Sequence, residues 1–165
     1  MIVIGIDPGT ATTGYGIIKE DENNRLTTID FGVILTSKNE PLELRLKKIY
    51  QEVNKLIFLH QPESAAVEKL FFNHNVTNAM SVGQARGVVL LALANSNIPV
   101  FEYSPSEVKS AISGYGGADK VQVQQMVKAV LGLDSIPKPD DAADALAIAI
   151  CHIHSNGFNS LVIED

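Results

Sequence analysis

The sequence predicts an α/β protein on a mixed five-stranded sheet, three antiparallel strands followed by parallel ones, with helices on both faces. Three observations carry this. Strand-like runs joined by short turns fill the first 35 residues, the apolar spacing turns helical after Pro41, and strand and helix alternate from there. Ile2–Asp7 is a β-branched run that stops at Pro8-Gly9, a buried strand meeting a turn. Thr13–Lys19 and Leu26–Leu35 are the next strands, parted by the polar turn Asp21-Glu22-Asn23-Asn24. Beyond Pro41, Leu42, Leu46, Ile49, Val53, Leu56 and Ile57 recur three or four apart, the stripe of an amphipathic helix. Ser64–Glu68 reads as a short strand. Asn75–Asn95 reads as a long helix whose Ala79, Ser81, Gly83, Ala85 and Gly87 permit close packing. Ile98–Tyr103 is a further strand. Ser104-Pro105-Ser106-Glu107 then has the form of a capping box with proline at the first helical position. The loop Gly114-Tyr115-Gly116-Gly117 leads into a helix over Asp119–Leu131 that stops at Gly132. Pro137 and Pro139 precede a last helix from Asp140 to about His154.

Composition sets the outer limits. With 165 residues, 45% hydrophobic and 19% charged, the chain suits one globular domain, residues 1–156, with a short tail, 157–165, and does not suit a disordered protein. A chain of this size hides roughly 70% of its unfolded surface, enough for a core without staples. The single cysteine, Cys151, excludes an intramolecular disulfide and a cysteine-built zinc site. No basic leader opens the sequence, and the longest uncharged apolar run, Val88 to Ala94, is far short of the ~20 residues of a membrane span. A cytoplasmic location is the expectation. The net charge of −6 is a poor guide to partners, because it is unevenly spread: residues 69–138 carry six basic and four acidic side chains, whereas the segment after Lys138 holds five acids and no lysine or arginine.

Four acids stand where a soluble protein seldom puts them. Asp7 ends an apolar strand, on the opposite pleat from Ile2, Ile4 and Ile6, and Glu68 ends the strand Ala65-Ala66-Val67. Asp141 and Asp144 sit in the first turns of an otherwise apolar helix, and their spacing leaves them about 60° apart on one face. Carboxylates near a core are costly unless cations neutralise them. Hard oxygen donors favour Mg²⁺ or Mn²⁺, and a pair of such ions is a common device for splitting a phosphodiester. Each acid also has a plainer explanation. Asp7 suits a turn, Asp140 and Asp141 suit the dipole of a helix start, and Glu68 beside Lys69 suits a surface ion pair. Asp144, with only apolar neighbours, is the hardest to explain that way. His152 and His154 lie about three turns beyond Asp141 and are expected to be structural or surface residues, with Cys151 a small core residue between them.

The residues also match a known family. Ile4-Gly5-Ile6-Asp7-Pro8-Gly9-Thr10 with Thr13-Gly14-Tyr15-Gly16 resembles the opening of the RuvC family of bacterial Holliday junction resolvases. So do Val67-Glu68-Lys69-Leu70-Phe71, the run from Gly83 to Val88, Val100-Phe101-Glu102-Tyr103, and the run from Asp141 to Ala149. The resemblance implies an RNase H-like fold, a symmetric homodimer, and paired cuts at a four-way DNA junction. It implies that Asp7, Glu68, Asp141 and Asp144 form a catalytic tetrad for two Mg²⁺ ions, with Mn²⁺ as a substitute. Lys109 and Lys120 match basic positions near the scissile phosphate, and Phe71 matches an aromatic that stacks on an unpaired base. Phe72 beside it makes a pair of rings suited to wedging into an opened stack. The family also implies two protein partners, a junction-binding protein and a branch-migration motor.

Some points stay open in the sequence. Lys109 also fits a solvated helix face, and Arg86, a candidate DNA contact, equally fits an internal salt bridge. Asp140 is a fifth ligand or a helix cap. The chain ends apolar then acidic, Leu161 to Asp165, where the family often has a more basic tail, so no DNA contact is carried over to it. The small-residue helix Asn75–Asn95 is the candidate dimer interface. Two other functions fit parts of the pattern. One is a non-catalytic or RNA-processing nucleic-acid-binding relative, which has no need of a complete tetrad. The other is an actin-like ATP-dependent phosphotransferase, suggested by the opening motif but lacking a second lobe and a second phosphate loop.

Overall fold

The structure, a computed structural model, describes residues 1–70 and 76–162, without the side chains of 76, 77 and 157–162. Among the described residues the order is β1 (Ile2–Asp7), β2 (Thr12–Glu20), β3 (Leu26–Leu35), α1 (Leu42–His60), β4 (Ser64–Glu68), α2 (Val76–Asn95), β5 (Val100–Tyr103), α3 (Pro105–Ser113), α4 (Lys120–Leu131) and α5 (Asp140–Val162). The strands form one sheet in the order β3-β2-β1-β4-β5. β1 is antiparallel to β2 and β2 to β3, while β4 runs parallel to both β1 and β5. The mixed sheet with helices on both faces is the architecture expected from the sequence.

The strand alternation sorts residues between two cores. Ile4, Ile6, Ile17, Ala65 and Val67 point to one face, where α1 and α2 cover them through Ile49, Val53, Ala85, Val89 and Leu93. Val3, Ile18 and Ala66 point to the other, under α3, α4 and α5. Asp7 and Glu68 share the pleat of Val3 and Ala66, so both acids lie on the α5 face. α5 is buried from Ala142 through Cys151 except at Asp144.

Local chemistry explains most element ends and the few differences from expectation. Ser104 accepts from Glu107 N–H while the Glu107 carboxylate takes Ser104 N–H, completing the expected capping box of α3. Asp119 is the cap of α4 and not its first residue, in a second box with Gln122. β5 starts at Val100 and not Ile98, because Ile98 N–H bonds back to Leu93 O to close α2, and Pro99 has no N–H to give a ladder. α5 runs to Val162, well past His154. Ser155 donates to Cys151 O at 2.8 Å, and Asn156 reaches His152 Nε2 at 3.1 Å, so both side chains satisfy themselves on the preceding turn and do not break the helix. His152 is fully buried, held by Ser64 Oγ at 3.0 Å and Tyr103 Oη at 2.8 Å, a structural pin between α5 and the sheet. Burial keeps it neutral, lowering its pKa from the ordinary histidine value. Cys151 is buried in the core, as expected.

Candidate active site

Register brings the acids together. Ile6 pairs with Val67 across the parallel strands β1 and β4, so one step further Asp7 and Glu68 leave the sheet side by side. On its other edge Asp7 pairs with Gly14 of β2. Glycine is required there by close approach. A β-carbon on Gly14 would run into the Asp141 carbonyl and lie 3.1 Å from Asp141 Cβ. One on Gly5 would strike the Ala145 carbonyl and come within 2.9 Å of Ala149 Cβ. The bare backbone of β1 and β2 is thus a groove in which the alanine-rich face of α5 lies. Its first turn then overhangs the end of β1.

The result is a cage. Asp7, Asp141 and Asp144 each offer a carboxylate oxygen within 4.8 Å of the others. Glu68 joins through a hydrogen bond with Asp7. All four are half-buried. Burial, then the charges of Glu68, Asp144 and Asp141, push the Asp7 carboxyl up to about 8. Glu68 is also raised, chiefly by burial and then by Asp144, but its bond to Asp7 favours its charged form. Asp7 and Glu68 are thus a close carboxyl pair that resists double ionisation, with the upward push greater on Asp7. Asp144 is raised by burial, with Asp141 and Asp140 adding and Lys120 opposing. A cluster of oxygen donors so short of positive charge fits a hard divalent cation, and the start of α5 contributes too little to substitute for one.

Basic groups stand at the rim. A cleft of about 250 Å³ adjoins the cage, lined by Glu68, Asp144, Lys109 and Lys120 over a floor that includes Val108, Val123 and Ile148. Lys120 Nζ lies 3.6 Å from Asp144 Oδ2 and 3.3 Å from Asp140 Oδ2. Partial burial pulls its pKa down, but Asp144 and Asp140 outweigh that and hold it above the ordinary lysine value. Arg86 takes the internal option that the sequence left open: it pairs with Glu102, and its Nε donates to Glu68 O at 3.3 Å, bracing the strand end that carries Glu68. Phe71 and Phe72 lie outside the described residues. Asp140 is the first residue of α5 and stands outside the three-acid set, paired with lysines. Three supports went unread in the sequence: the glycine groove, Glu102 as the partner in the salt bridge left open for Arg86, and Gln124, buried on α4 with its amide on Asp140. A glycine at every second position, Gly14 and Gly16, was the one available signal, since that spacing bares one face of a strand.

Comparisons with known proteins agree with this geometry. The family model described as crossover junction endodeoxyribonuclease RuvC matches residues 3–152. The chain is 58% identical over 155 residues to the crossover junction endodeoxyribonuclease RuvC of Desulfitobacterium hafniense, spanning 94% of this chain and 93% of that one. It is similar to the solved structure of Thermus thermophilus RuvC, with a TM-score of 0.90 at 37% identity, covering 96% of this chain and 97% of the other. The structure of T. thermophilus RuvC in complex with Holliday junction substrate superposes with a TM-score of 0.88 at 35% identity, over 96% of each chain. The RNase H-like fold expected from the motifs is therefore shown, and the chain belongs to the RuvC family of crossover junction endodeoxyribonucleases.

Proposed function

We propose that the protein is a structure-selective endonuclease that resolves four-way DNA junctions by paired nicks. The single observation that carries this reading is the convergence of Asp7, Asp141 and Asp144 within 4.8 Å, with Glu68 bonded to Asp7, in a chain of this family. Asp7, Glu68, Asp141 and Asp144 would hold two Mg²⁺ ions, with Mn²⁺ as substitute. When bound, the ions supply activation of the attacking water and stabilisation of the leaving oxygen. Four carboxylates and two dications balance in charge, so a loaded site does not repel a phosphodiester. Lys109 and Lys120 at the rim meet the phosphate charge, and the apolar floor of the cleft limits water beneath it. Arg86 fixes Glu68 from behind. Phe71 and Phe72, directly after β4 and its two following residues, are proposed to stack on bases opened at the crossover. A pure binder has no use for a complete acid cage, which argues against a non-catalytic relative.

Two opposed cuts need two sites related by a two-fold axis, and this small chain supplies one, so a symmetric homodimer is proposed. The outer face of α2 exposes Met80 and Leu91, which supports it as the interface. A junction-binding protein and a branch-migration motor are proposed as partners on the strength of the family. Among the described residues no helix is long and apolar enough to cross a membrane.

The proposal is tested on a synthetic mobile junction with Mg²⁺. Wild type is expected to give symmetric paired nicks, and Glu68→Gln to bind the junction without cutting. No nicking by wild type on junctions of several sequences, or equal nicking by both, overturns the reading. Metal loading carries its own signature. Because burial and the neighbouring acids push the Asp7 carboxyl up to about 8, and it must ionise to take a cation, affinity for Mg²⁺ should rise between pH 6 and 8. Calorimetry at pH 7 in buffers of differing ionisation enthalpy should report about one proton released per site. Binding that releases none would mean that Asp7 is already ionised.

A further inference from the structure

The Asp140 side chain makes other bonds than those of a helix cap or of the acid cage. It is not in the set of oxygens that close to within 4.8 Å. Nor does its side chain stand at the cap: Asp140 is itself the first residue of α5, and the N–H groups of Ala142 and Ala143, the third and fourth residues, go to Pro139 O at 3.0 and 3.4 Å. Its two oxygens are occupied elsewhere. Oδ1 accepts from Gln124 Nε2 and from Lys138 Nζ, each at 3.2 Å, and Oδ2 faces Lys120 Nζ at 3.3 Å. Gln124 is 7% exposed, an amide buried where α4 meets α5, so its bond fixes the Asp140 carboxylate in place. Asp140 begins α5 and Lys120 begins α4, and the contact clasps the two helix starts.

The consequence lies in what Lys120 does when a cation arrives. Its ammonium bridges one acid outside the cage, Asp140, and one inside it, Asp144. A divalent ion at Asp144 both repels that ammonium and competes for the same carboxylate. With Asp140 present, Lys120 can give up Asp144 and keep a full-charge partner, staying beside Lys109 on the rim of the cleft. With Asp140 neutralised, Asp144 is its remaining carboxylate partner among the described residues, and ion entry must break the whole pair.

We propose that Asp140 is a positioning residue that holds Lys120 at the rim of the acid cage, so that a divalent cation entering at Asp144 displaces the ammonium sideways instead of competing with it outright. This rests on the nuclease reading, in which Asp144 holds a cation and Lys120 meets phosphate. Asp140→Asn is the variant of choice, since it removes the charge and keeps an oxygen for Gln124. Mn²⁺ is titrated into the DNA-free protein and followed by calorimetry and by the rise in melting temperature, for wild type, Asp140→Asn, Asp140→Glu, Lys120→Gln and the double variant Asp140→Asn with Lys120→Gln. Asp140→Asn is expected to raise the half-saturating Mn²⁺ concentration about 3- to 10-fold, and Asp140→Glu to restore it. Lys120→Gln should lower it, and in that background Asp140→Asn should make no further difference. An equal loss in both backgrounds would mean that Asp140 acts only through its own charge and would overturn the proposal, as would an unchanged midpoint in Asp140→Asn. If wild type binds no Mn²⁺ at all, the nuclease reading falls and this inference with it; binding with an unchanged midpoint removes the inference alone.

Discussion

Asp7→Asn is expected to lower junction cleavage on the order of 10³-fold or more while making the metal-free protein more stable. Asp7 is the hub of the cage, close to Asp141 and Asp144 and bonded to Glu68. An amide keeps the hydrogen bond to Glu68 that the protonated acid makes, so the fold has little reason to change, but it is a poor ligand for a hard cation. The stability effect has a definite pH window. An ordinary aspartate titrates at 3.8, and in the folded chain Asp7 is pushed up to about 8. Between those values the folded state binds a proton that the unfolded state does not, so this group makes the protein less stable as pH rises through the window. Asparagine removes that dependence. Denaturant unfolding in EDTA should find the variant gaining on wild type by roughly 1 kcal/mol per pH unit from pH 5 to pH 8, with the gap closing towards pH 5. Saturating Mg²⁺ should reverse the order at pH 8, because wild type gains the ion and the variant largely does not. Undiminished cleavage, or two unfolding curves that keep one separation from pH 5 to 8, would remove Asp7 from the centre of the site.

Gly5→Ala and Gly14→Ala should be as damaging as any core substitution in the chain. The added methyl would meet main-chain atoms of α5, the carbonyls of Ala145 and Asp141, and no side chain that can swing aside. Relief requires the helix to lift from the sheet, at a cost of about 3 kcal/mol or more. Gly14→Ala should do further harm, since the segment it lifts carries Asp141 and Asp144. Even where that variant folds, its Mg²⁺ requirement should rise about 10- to 100-fold, the range for disturbing the surroundings of a metal ligand. Gly87→Ala is the contrast, with nothing of its own chain within 4 Å of the new methyl and a helical setting that prefers alanine; since Gly87 lies on the exposed α2 face proposed for the dimer, the comparison is of the monomer. That variant should gain up to about 1 kcal/mol. Thermal melts of the three variants decide the matter: tolerance at positions 5 and 14 would mean that α5 has freedom to shift on the sheet.

The same two sets of residues show how far the sequence reaches. β-branched runs, the change of apolar period after Pro41 and the box at Ser104 are local signals, and the elements they predict are present, with most ends within a residue or two and the end of α5 eight residues further on. The ends that moved did so for non-local or competing bonds. Ile98 closes α2 and does not extend β5, and Ser155 and Asn156 turn back onto α5 and do not end it. The acids were legible for a different reason: charge on an apolar strand or helix is conspicuous wherever it lies, and the family motifs supplied the grouping. Arg86 shows the limit. Its type and position fit two roles equally, and only the packing of α2 beside Glu102 shows its ion pair.

By itself, then, the sequence determined the class of fold and the family and singled out four acids as candidates, because periodicity and misplaced charge are properties of short stretches of chain. The tertiary structure alone decided that Asp7 and Glu68 meet beside Asp141 and Asp144, that glycines seat α5, and that Asp140 bonds Lys120 and Gln124. Each of those depends on distances of a few ångströms between residues far apart in the chain, where burial and Coulomb forces act and sequence spacing carries no information.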